Sequence, residues 1–229
     1  MTVTVQAHVF SIIIITAVLA VLLFVFNRAL KDFDPLDEPK GLVLVALMAV
    51  ETVDKIVRAD VNEEIFEDLG PYIGSLWGYI FLSSISGLFG IQAVPTSNLS
   101  VTLTLAVITV LLVEYNSMKY NGIKNYIKGL FEPVFLFLPM NLVSKLSPAI
   151  SLSMRLFANI MSGGIIMSLL YTGMAYLSSQ IPVIGNFNFL GVIVAPVLHM
   201  YFDLISGLLQ TFIFTSLTII FIGKELPER

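Results

Sequence analysis

Residues 150–166 read ISLSMRLFANIMSGGII, and they place Arg155 in an apolar, helix-forming stretch. A permanently charged guanidinium at the centre of a membrane helix costs roughly 2.5–3.5 kcal/mol, so such a residue normally faces protein or water on a functional pathway. An arginine near a helix end instead extends its charge to the lipid headgroups at little cost. The depth of Arg155 therefore decides between a functional interpretation and a trivial one.

The composition indicates a polytopic membrane protein. The 229 residues are 57% hydrophobic and 12% charged, which is about half the charge of a typical soluble domain. The sequence contains no cysteine, which excludes disulfides, thiolate catalysis and cysteine metal sites. No polar stretch is longer than about forty residues, too short for a catalytic domain. We therefore expect no active site, no cofactor and no metal in this chain.

Five segments are apolar enough to cross about 30 Å of hydrocarbon, which takes roughly 20 helical residues. They are residues 8–26, 72–90, 96–113, 133–176 and 187–222. The acidic segment 32–68 holds 11 of the 16 Asp and Glu residues, and its apolar run is too short to cross, so we predict an amphipathic helix at the membrane interface. The predicted fold class is an all-α membrane protein with a single domain, residues 1–229.

Lysine and arginine predict the orientation. They occur between the first and second spans, between the third and fourth, and after the fifth, whereas residues 1–7, 91–95 and 178–186 contain none. Because cytoplasmic loops are enriched in these residues, we predict an external N-terminus and a cytoplasmic C-terminus. The first span lacks a clear small-residue cleavage site, so we interpret it as retained in the membrane.

The fourth and fifth spans are longer than a perpendicular crossing requires. As helices they would measure roughly 66 Å and 54 Å, whereas a transmembrane helix is typically tilted by only about 20°. Either part of each segment does not span the membrane, or both helices are steeply inclined. Steeply inclined helices would suit packing against a large, curved partner.

Two polar stripes lie on these long spans. Arg155 is about 20 residues from either end of its span, so we do not expect it to reach the headgroups. Residues three or four apart share a helical face. One face therefore carries Ser147, Ser151, Arg155, Asn159 and Ser162, and a face of the fifth span carries His199, Asp203, Ser206 and Gln210.

Each polar residue also has a simpler explanation. Serines in membrane helices often bond to their own helix, and Asn159 and Gln210 could join neighbouring helices. His199 could be a polar anchor at the outer interface. Asp203 is harder to explain in this way, because a carboxylate within a span needs a partner, a proton or water. An imidazole one turn away makes the pair suitable for passing protons.

The motif SLSMRLFANIMSGG at residues 151–164, together with LLQTFIFTSLTIIFI at residues 208–222, closely resembles subunit a of the F-type ATP synthase, the stator of its membrane motor. The shorter stretches PTSNLSVTL (95–103), EPV (132–134) and SKLSP (144–148) agree with this family. The resemblance covers most of residues 72–223. The first seventy residues resemble the family only in their arrangement, which is one span followed by an interfacial segment.

The resemblance implies specific roles for several residues. Arg155 corresponds to the essential arginine that faces the carboxylate of each passing subunit c, and it would gate two aqueous half-channels. Asn159 and Gln210 match the family's asparagine and glutamine. The chain departs from the best-known bacterial pattern at Gly164, where a glutamate is often found, and at Asp203, where a histidine is often found. The implied ion pathway comprises Asn159, Ser162, His199, Asp203, Ser206 and Gln210, with Ser147, Ser151 and Glu132 on the cytoplasmic side.

The resemblance also implies partners and a location. They are the ring of subunit c, the peripheral stalk subunit b, the F1 sector and the lipid membrane, with no nucleic acid. We expect a non-catalytic subunit in a bacterial inner membrane, favoured over an organellar inner membrane, and the sequence leaves proton and sodium both open. The alternatives are a secondary transporter that binds an anionic solute through Arg155, which predicts internal repeats that are not evident, and a non-catalytic membrane scaffold.

Overall fold

The computed structural model describes residues 7–31, 33, 38–58, 63–91, 93–132, 134–180 and 188–225. Parts of the sequence predictions fall outside these residues: the external N-terminal segment before residue 7, the beginning of the acidic segment at residue 32, and the predicted first residues of the fourth and fifth spans, 133 and 187. Most of the loop between the last two spans also lies outside them.

The described residues form α-helices joined by short turns. The helices are α1 (Ala7–Lys31), α2 (Leu42–Arg58), α3 (Glu63–Ile85), α4 (Leu99–Asn121), α5 (Ile123–Phe131), α6 (Leu138–Ser179), α7 (Phe189–His199) and α8 (Ser206–Lys224). A π-helical segment, Met200–Ile205, connects α7 to α8 without a break. Single 3₁₀ turns are found at Ser86–Phe89, Pro95–Ser97 and Phe135–Phe137.

The predicted fold class is confirmed. Within the described part of the chain, five helical stretches are long and apolar enough to cross a membrane: Ala7–Lys31, Leu69–Phe89, Leu99–Asn121, Phe135–Ser179 and Gly191–Lys224. No strand occurs in these residues. The molecule is an all-α membrane protein.

The longest helix, α6, is continuous over 42 residues although Pro148 lies inside it. At 1.5 Å per residue it measures about 63 Å, roughly twice the thickness of hydrocarbon. The long fourth segment is therefore not divided into a spanning helix and a separate loop. It is one helix, which is either steeply inclined or extends beyond the membrane.

The helix α4 extends past the predicted third span. The helix α4 continues eight residues beyond 113 and ends where Gly122 adopts a φ of 78°, a left-handed conformation that favours glycine. Its last turns bury Asn116, whose amide donates to the carbonyl oxygen of Leu112 at 2.8 Å. The predicted span ends at Val113 because a polar run begins at Glu114. In the structure, this run is partly buried against the end of α8.

The core is formed by α3, α4, α6 and α8. Phe214 of α8 is fully buried, and Leu152 and Leu156 of α6 lie in the same cluster. The remaining members come from α3, α4 and α6: Leu76, Ile80, Ala106, Val110 and Ala149. Lipid tails are as apolar as these side chains, so close packing rather than exclusion from water holds the helices together.

Small residues allow close approach of α8 to α3. A Cβ atom on Gly207 would lie 2.6 Å from the Cβ atom of Ser84, so any side chain at this position would force the helices apart. The hydroxyls of Thr211, Thr215 and Thr218 donate to carbonyl oxygens one turn earlier on α8, at 2.8–2.9 Å. These buried threonines are therefore satisfied within their own helix.

The short helix α2 packs beside α3 and α8. Its Ala46 is fully buried, and Val53 and Ile56 contact a cluster formed by Leu69, Ile73, Val113, Ile219 and Ile222. On the other side, Lys55 forms an exposed ion pair with Glu51 at 2.8 Å. The helix is amphipathic, as the acidic segment predicts.

Candidate functional site

Arg155 lies on the exposed face of α6, opposite the face that forms the core. Leu152 and Leu156 point into the protein, whereas Met154 and Ile150 are 47% and 59% exposed beside the arginine. Among the described residues, none forms a hydrogen bond or an ion pair with the guanidinium. The charge is therefore directed away from the chain's own helices and is free to interact with a group outside it.

Asn159, one turn after Arg155, connects α6 to α8. The Ser206 hydroxyl donates to Asn159 Oδ1 at 2.9 Å. This bond brings together one member of each predicted polar stripe. Ser162 behaves differently, since its hydroxyl donates to the carbonyl oxygen of Asn159 at 3.0 Å, which is the simpler intrahelical role considered for membrane serines.

Gln210 lies one turn after Ser206 on α8. The two helices are antiparallel, so one turn beyond the Asn159–Ser206 bond brings Gln210 to the level of Arg155. The Gln210 side chain is buried, and its amide nitrogen Nε2 has no hydrogen-bond partner among the described residues. A buried amide without a protein partner is suited to bonding water, so this level of the interface can be hydrated.

His199, Asp203 and Tyr171 form a continuous hydrogen-bonded chain. His199 Nδ1 lies 2.8 Å from Asp203 Oδ2, and His199 Nε2 lies 3.0 Å from the Tyr171 hydroxyl oxygen. The side chains of His199 and Asp203 are 36% and 25% exposed. If Nδ1–H donates to the carboxylate, Nε2 accepts from the Tyr171 hydroxyl, and all three groups are satisfied.

The helix that carries this chain is locally irregular. Pro196 lies inside α7, and the backbone changes to π-helix at Met200–Ile205 immediately after His199. Proline removes a backbone donor, and single π turns inside α-helices occur frequently at functional sites. Nothing in the local sequence pattern indicates a π turn.

Tyr171 was missed by sequence reasoning, although a signal was available. Steps of four from Arg155 lead through Asn159, Gly163 and Met167 to Tyr171. Gly163 and Met167 are buried, and Gly163 leaves space for the ring of Phe202, which lies 3.5 Å from where a Cβ would be. The same ridge of α6 therefore carries the Asn159 amide and the Tyr171 phenol towards the fifth span.

The Asp203 carboxylate also contacts the turn after α3. A Cβ atom on Gly87 would lie 3.4 Å from Asp203 Oδ2. Glycine at this position therefore lets the Ser86–Phe89 turn approach the carboxylate closely. The carboxylate is enclosed between this turn and His199.

The predicted cytoplasmic residues form no described hydrogen bond with Tyr171, His199 or Asp203. Ser147 and Ser151 are exposed on α6 on the same side as Arg155. Glu132 lies in the connection between α5 and α6, where it forms an exposed ion pair with Lys128 at 3.6 Å. The described contacts connect neither the serines nor Glu132 to Arg155.

A second polar cluster, which we call the lysine cluster, was not predicted. Lys145 Nζ lies 3.0 Å from Glu114 Oε2 and 3.3 Å from Glu225 Oε2. Ser117 donates to Glu225 at 2.8 Å and Tyr126 donates to Glu114 at 2.6 Å. Burial, the hydrogen bond to Glu114 and the nearby negative charges raise the pKa of Tyr126 to about 12. The cluster joins the ends of α4, α5 and α8 to α6.

Taken together, the site is a single file of polar groups along the interface of α6 with the fifth span. It runs from Tyr171 through His199 and Asp203, then to the Ser206–Asn159 pair, and ends at the level of Arg155. Hydrogen bonds join Tyr171, His199 and Asp203 to one another, and a separate hydrogen bond joins Ser206 to Asn159.

Comparison with known proteins identifies the family of the chain. The family model described as ATP synthase A chain matches residues 8–223. The chain is 34% identical over 159 residues to ATP synthase subunit a of Bacillus pumilus, covering 66% of this chain and 65% of the relative. It is 34% identical over 172 residues to ATP synthase subunit a, sodium ion specific, of Propionigenium modestum, covering 69% and 54%.

A third relative aligns over a longer stretch. ATP synthase subunit a of Mycoplasma genitalium is 32% identical over 220 residues, which cover 90% of this chain and 75% of the relative. The chain spans less than two thirds of the length of the Bacillus pumilus and Propionigenium modestum proteins. The resemblance derived from the motifs is confirmed, and the chain belongs to the ATP synthase A chain family.

Proposed function

We propose that this chain is the ion-translocating stator subunit of an F-type ATP synthase. It would stand beside a rotating ring of subunit c, held by the peripheral stalk subunit b, and would couple ion flow to rotation and to ATP synthesis in the F1 sector. Its own role is not catalytic. It loads and unloads the ring carboxylates, and Arg155 separates the two routes.

The observation that carries this proposal is the placement of Arg155. A guanidinium in the middle of a 42-residue apolar helix is exposed beside Met154 and Ile150, with no partner from the described residues. Facing lipid, such a charge would cost several kcal/mol. A neighbouring protein that presents a carboxylate at the same depth removes this cost, and the exposed apolar side chains around Arg155 suit packing against it.

The electrostatics of such a contact produce a gate. A ring carboxylate cannot pass through lipid while charged, because its desolvation costs several kcal/mol, so it travels neutral with its ion bound. Opposite Arg155 the positive charge favours the ionised carboxylate, and the bound ion is released. The arginine therefore prevents an ion from passing directly between the two routes.

The two routes would be half-channels that do not meet. The outer one is lined by His199, Asp203, Asn159, Ser162 and Ser206, and it ends near Gln210. The cytoplasmic one lies near Ser147, Ser151 and Glu132. Each elementary charge that crosses 100 mV releases about 2.3 kcal/mol, which would drive the rotation.

The proposal includes an orientation. In a bacterial inner membrane, the N-terminus would lie outside and the C-terminus in the cytoplasm. The reason is that the loops rich in lysine and arginine are expected on the cytoplasmic side. His199 and Asp203 then lie in the outer half of the membrane, and the lysine cluster lies towards the cytoplasm.

The experiment that tests the proposal uses the whole complex, purified and reconstituted into vesicles. Arg155→Ala should abolish ATP-driven ion pumping while the ring and stalk subunits still co-purify with the chain. Met140→Ala, which changes an exposed residue near the beginning of the same helix, is the matched control and should pump normally. Normal pumping by Arg155→Ala, or purification of the chain without a ring, would overturn the proposal.

A further inference from the structure

We propose that the short helix α5 lies in the headgroup region of the membrane and that its lysines bind the phosphate groups of anionic phospholipids. The motif resemblance assigns no role to this helix. The choice of the cytoplasmic leaflet rests on the orientation given under the proposed function, whereas the lipid contact itself depends only on the place of α5 between two spans.

The position of α5 follows from its neighbours in the chain. Two candidate membrane spans flank it, Leu99–Asn121 before it and Phe135–Ser179 after it. The helix itself, Ile123–Phe131, has nine residues and measures about 14 Å, too short to cross about 30 Å of hydrocarbon. It therefore occupies the turn between the two spans, at the edge of the membrane.

The faces of α5 differ in polarity. Ile123, Ile127 and Phe131 are four residues apart, so they share one face, and they are 63%, 47% and 37% exposed. Lys124 and Lys128 each follow an isoleucine by one residue, which places them along one edge of this apolar face. An exposed apolar face bordered by lysines is typical of a helix that lies in the membrane interface.

The helix is held to the rest of the protein through an adjoining side. The Tyr126 hydroxyl donates to Glu114 Oε2 at 2.6 Å. At the other end, the Asn141 amide of α6 donates to the carbonyl oxygens of Leu130 and Glu132 at 2.9 Å and 3.0 Å. These contacts fix α5 against α4 and α6, so its apolar face is directed away from them.

The apolar surface continues beyond the end of α5. The rings of Phe131 and Phe135 are stacked, with their centroids 5.5 Å apart. Phe135 and Leu136 are 71% and 82% exposed, where the long fourth span begins. A continuous apolar surface of this kind marks a contact with protein or membrane, and the charges beside it favour the membrane.

The charge of this segment is complementary to anionic lipids. Residues 115–132 contain three lysines, at positions 119, 124 and 128, and one acid, Glu132. Their net charge is therefore +2, whereas that of the whole chain is −4. Lys128 forms an exposed ion pair with Glu132 at 3.6 Å, and Lys124 has no acidic partner in the part of the chain that the structure describes. Basic groups next to a membrane are attracted to anionic headgroups.

The test uses the whole complex in vesicles of phosphatidylcholine and phosphatidylglycerol. The chain contains no cysteine, so Ile127→Cys supplies a unique thiol for a fluorophore when the other subunits also lack cysteine. Lipids brominated in their acyl chains should quench this fluorophore. Competition between the two brominated lipids should show a preference for phosphatidylglycerol of at least about fivefold, the effect of one lysine near an anionic surface.

The combined change Lys124→Gln and Lys128→Gln should lower this preference by about fivefold for each lysine that contacts a headgroup. Quenching by brominated phosphatidylcholine should remain, because the apolar face is unchanged. The matched control is Lys40→Gln with Lys55→Gln, which removes two exposed lysines outside α5 and should leave the preference unchanged.

Two results would overturn the inference. A fluorophore at Ile127→Cys that neither brominated lipid quenches would show that another protein covers the apolar face. A preference that is the same with and without Lys124 and Lys128 would remove the headgroup contact. ATP-driven ion pumping by the same labelled complex reports the stator function separately, so a complex that pumps but gives either result overturns only the lipid contact.

Discussion

The hydrogen-bonded chain of Tyr171, His199 and Asp203 and the lysine cluster contain similar residues, an acid, a base and a tyrosine, but they are built differently. In the first, each group has one hydrogen bond to the next, and the series is open at both ends. In the lysine cluster, one ammonium group is shared by two carboxylates, and Tyr126 bonds to Glu114 while its ring lies 4.6 Å from Lys145 Nζ. A single open chain can pass a proton along, whereas a closed cluster holds helix ends in place.

Burial is similar in the two regions. The side chains of Glu114, Lys145 and Glu225 are 16%, 21% and 34% exposed, and those of His199 and Asp203 are 36% and 25% exposed. The two regions therefore differ in how their groups are connected. Under the proposed function, the open arrangement belongs to the ion route and the lysine cluster holds helix ends together.

The largest effect on stability is expected from Lys145→Ala. This change leaves Glu114 and Glu225 without their shared cation in a partly buried site, and it should lower the free energy of unfolding by about 2–4 kcal/mol. Thermal unfolding of the detergent-solubilised complex measures this. Lys128→Ala, which removes an exposed ion pair with Glu132, is the control and should cost less than about 0.5 kcal/mol. Equal losses for both variants would contradict the anchoring role.

Asp203→Asn should affect ion flux strongly and thermal stability little, in contrast to Lys145→Ala. An amide can keep a hydrogen bond with His199 but cannot receive the proton, so the passive proton flux should fall at least about tenfold. The midpoint of thermal unfolding should change little, because the site is open and the packing is retained. Both quantities can be measured on one preparation. A variant that conducts normally but unfolds like Lys145→Ala would reverse the assignment of the two regions.

The smallest effect is expected from Tyr126→Phe. The phenyl ring keeps its contact with Lys145, so only the hydrogen bond to Glu114 is lost, and the cost should be about 1 kcal/mol. Because the pKa of Tyr126 is raised to about 12, above its ordinary value near 10, the contribution of the phenol is complete below about pH 10 and is lost as the pH rises towards 12.

The difference in thermal stability between Tyr126→Phe and the wild type should therefore be the same at about pH 7 and about pH 9. A difference that shrinks over this interval would show that the phenol ionises earlier than its contacts indicate. Tyr115→Phe, a change at a residue that is 59% exposed on α4, is a suitable control and should leave stability unchanged.

Some parts of the site follow directly from sequence. The spacing of four residues between His199 and Asp203 predicts that they share a face of a helix, and the structure brings them within 2.8 Å. Counting residues is likewise enough to predict that Arg155 lies about 20 residues from either end of its span. These predictions concern neighbours along one helix, where geometry is nearly independent of the rest of the protein.

Other parts depend on how the helices are aligned with one another. The Asn159–Ser206 bond joins residues 47 positions apart, and the Lys145–Glu225 pair joins residues 80 positions apart. A shift of α8 by one turn would separate both pairs, and nothing in the periodicity of either helix excludes such a shift. The close contact of Gly207 with Ser84 is what sets the height of α8 relative to α3.

By itself the amino-acid sequence determined that the chain is a bundle of membrane helices, which residues share a face, and that a charge lies deep within the longest span. The tertiary structure decided that this charge faces outward, that Tyr171 joins His199, and that Lys145 is placed between two acids. The physical reason is that hydrophobicity and helical periodicity are local properties, whereas the depth at which one helix meets another is set by side-chain packing across the interface.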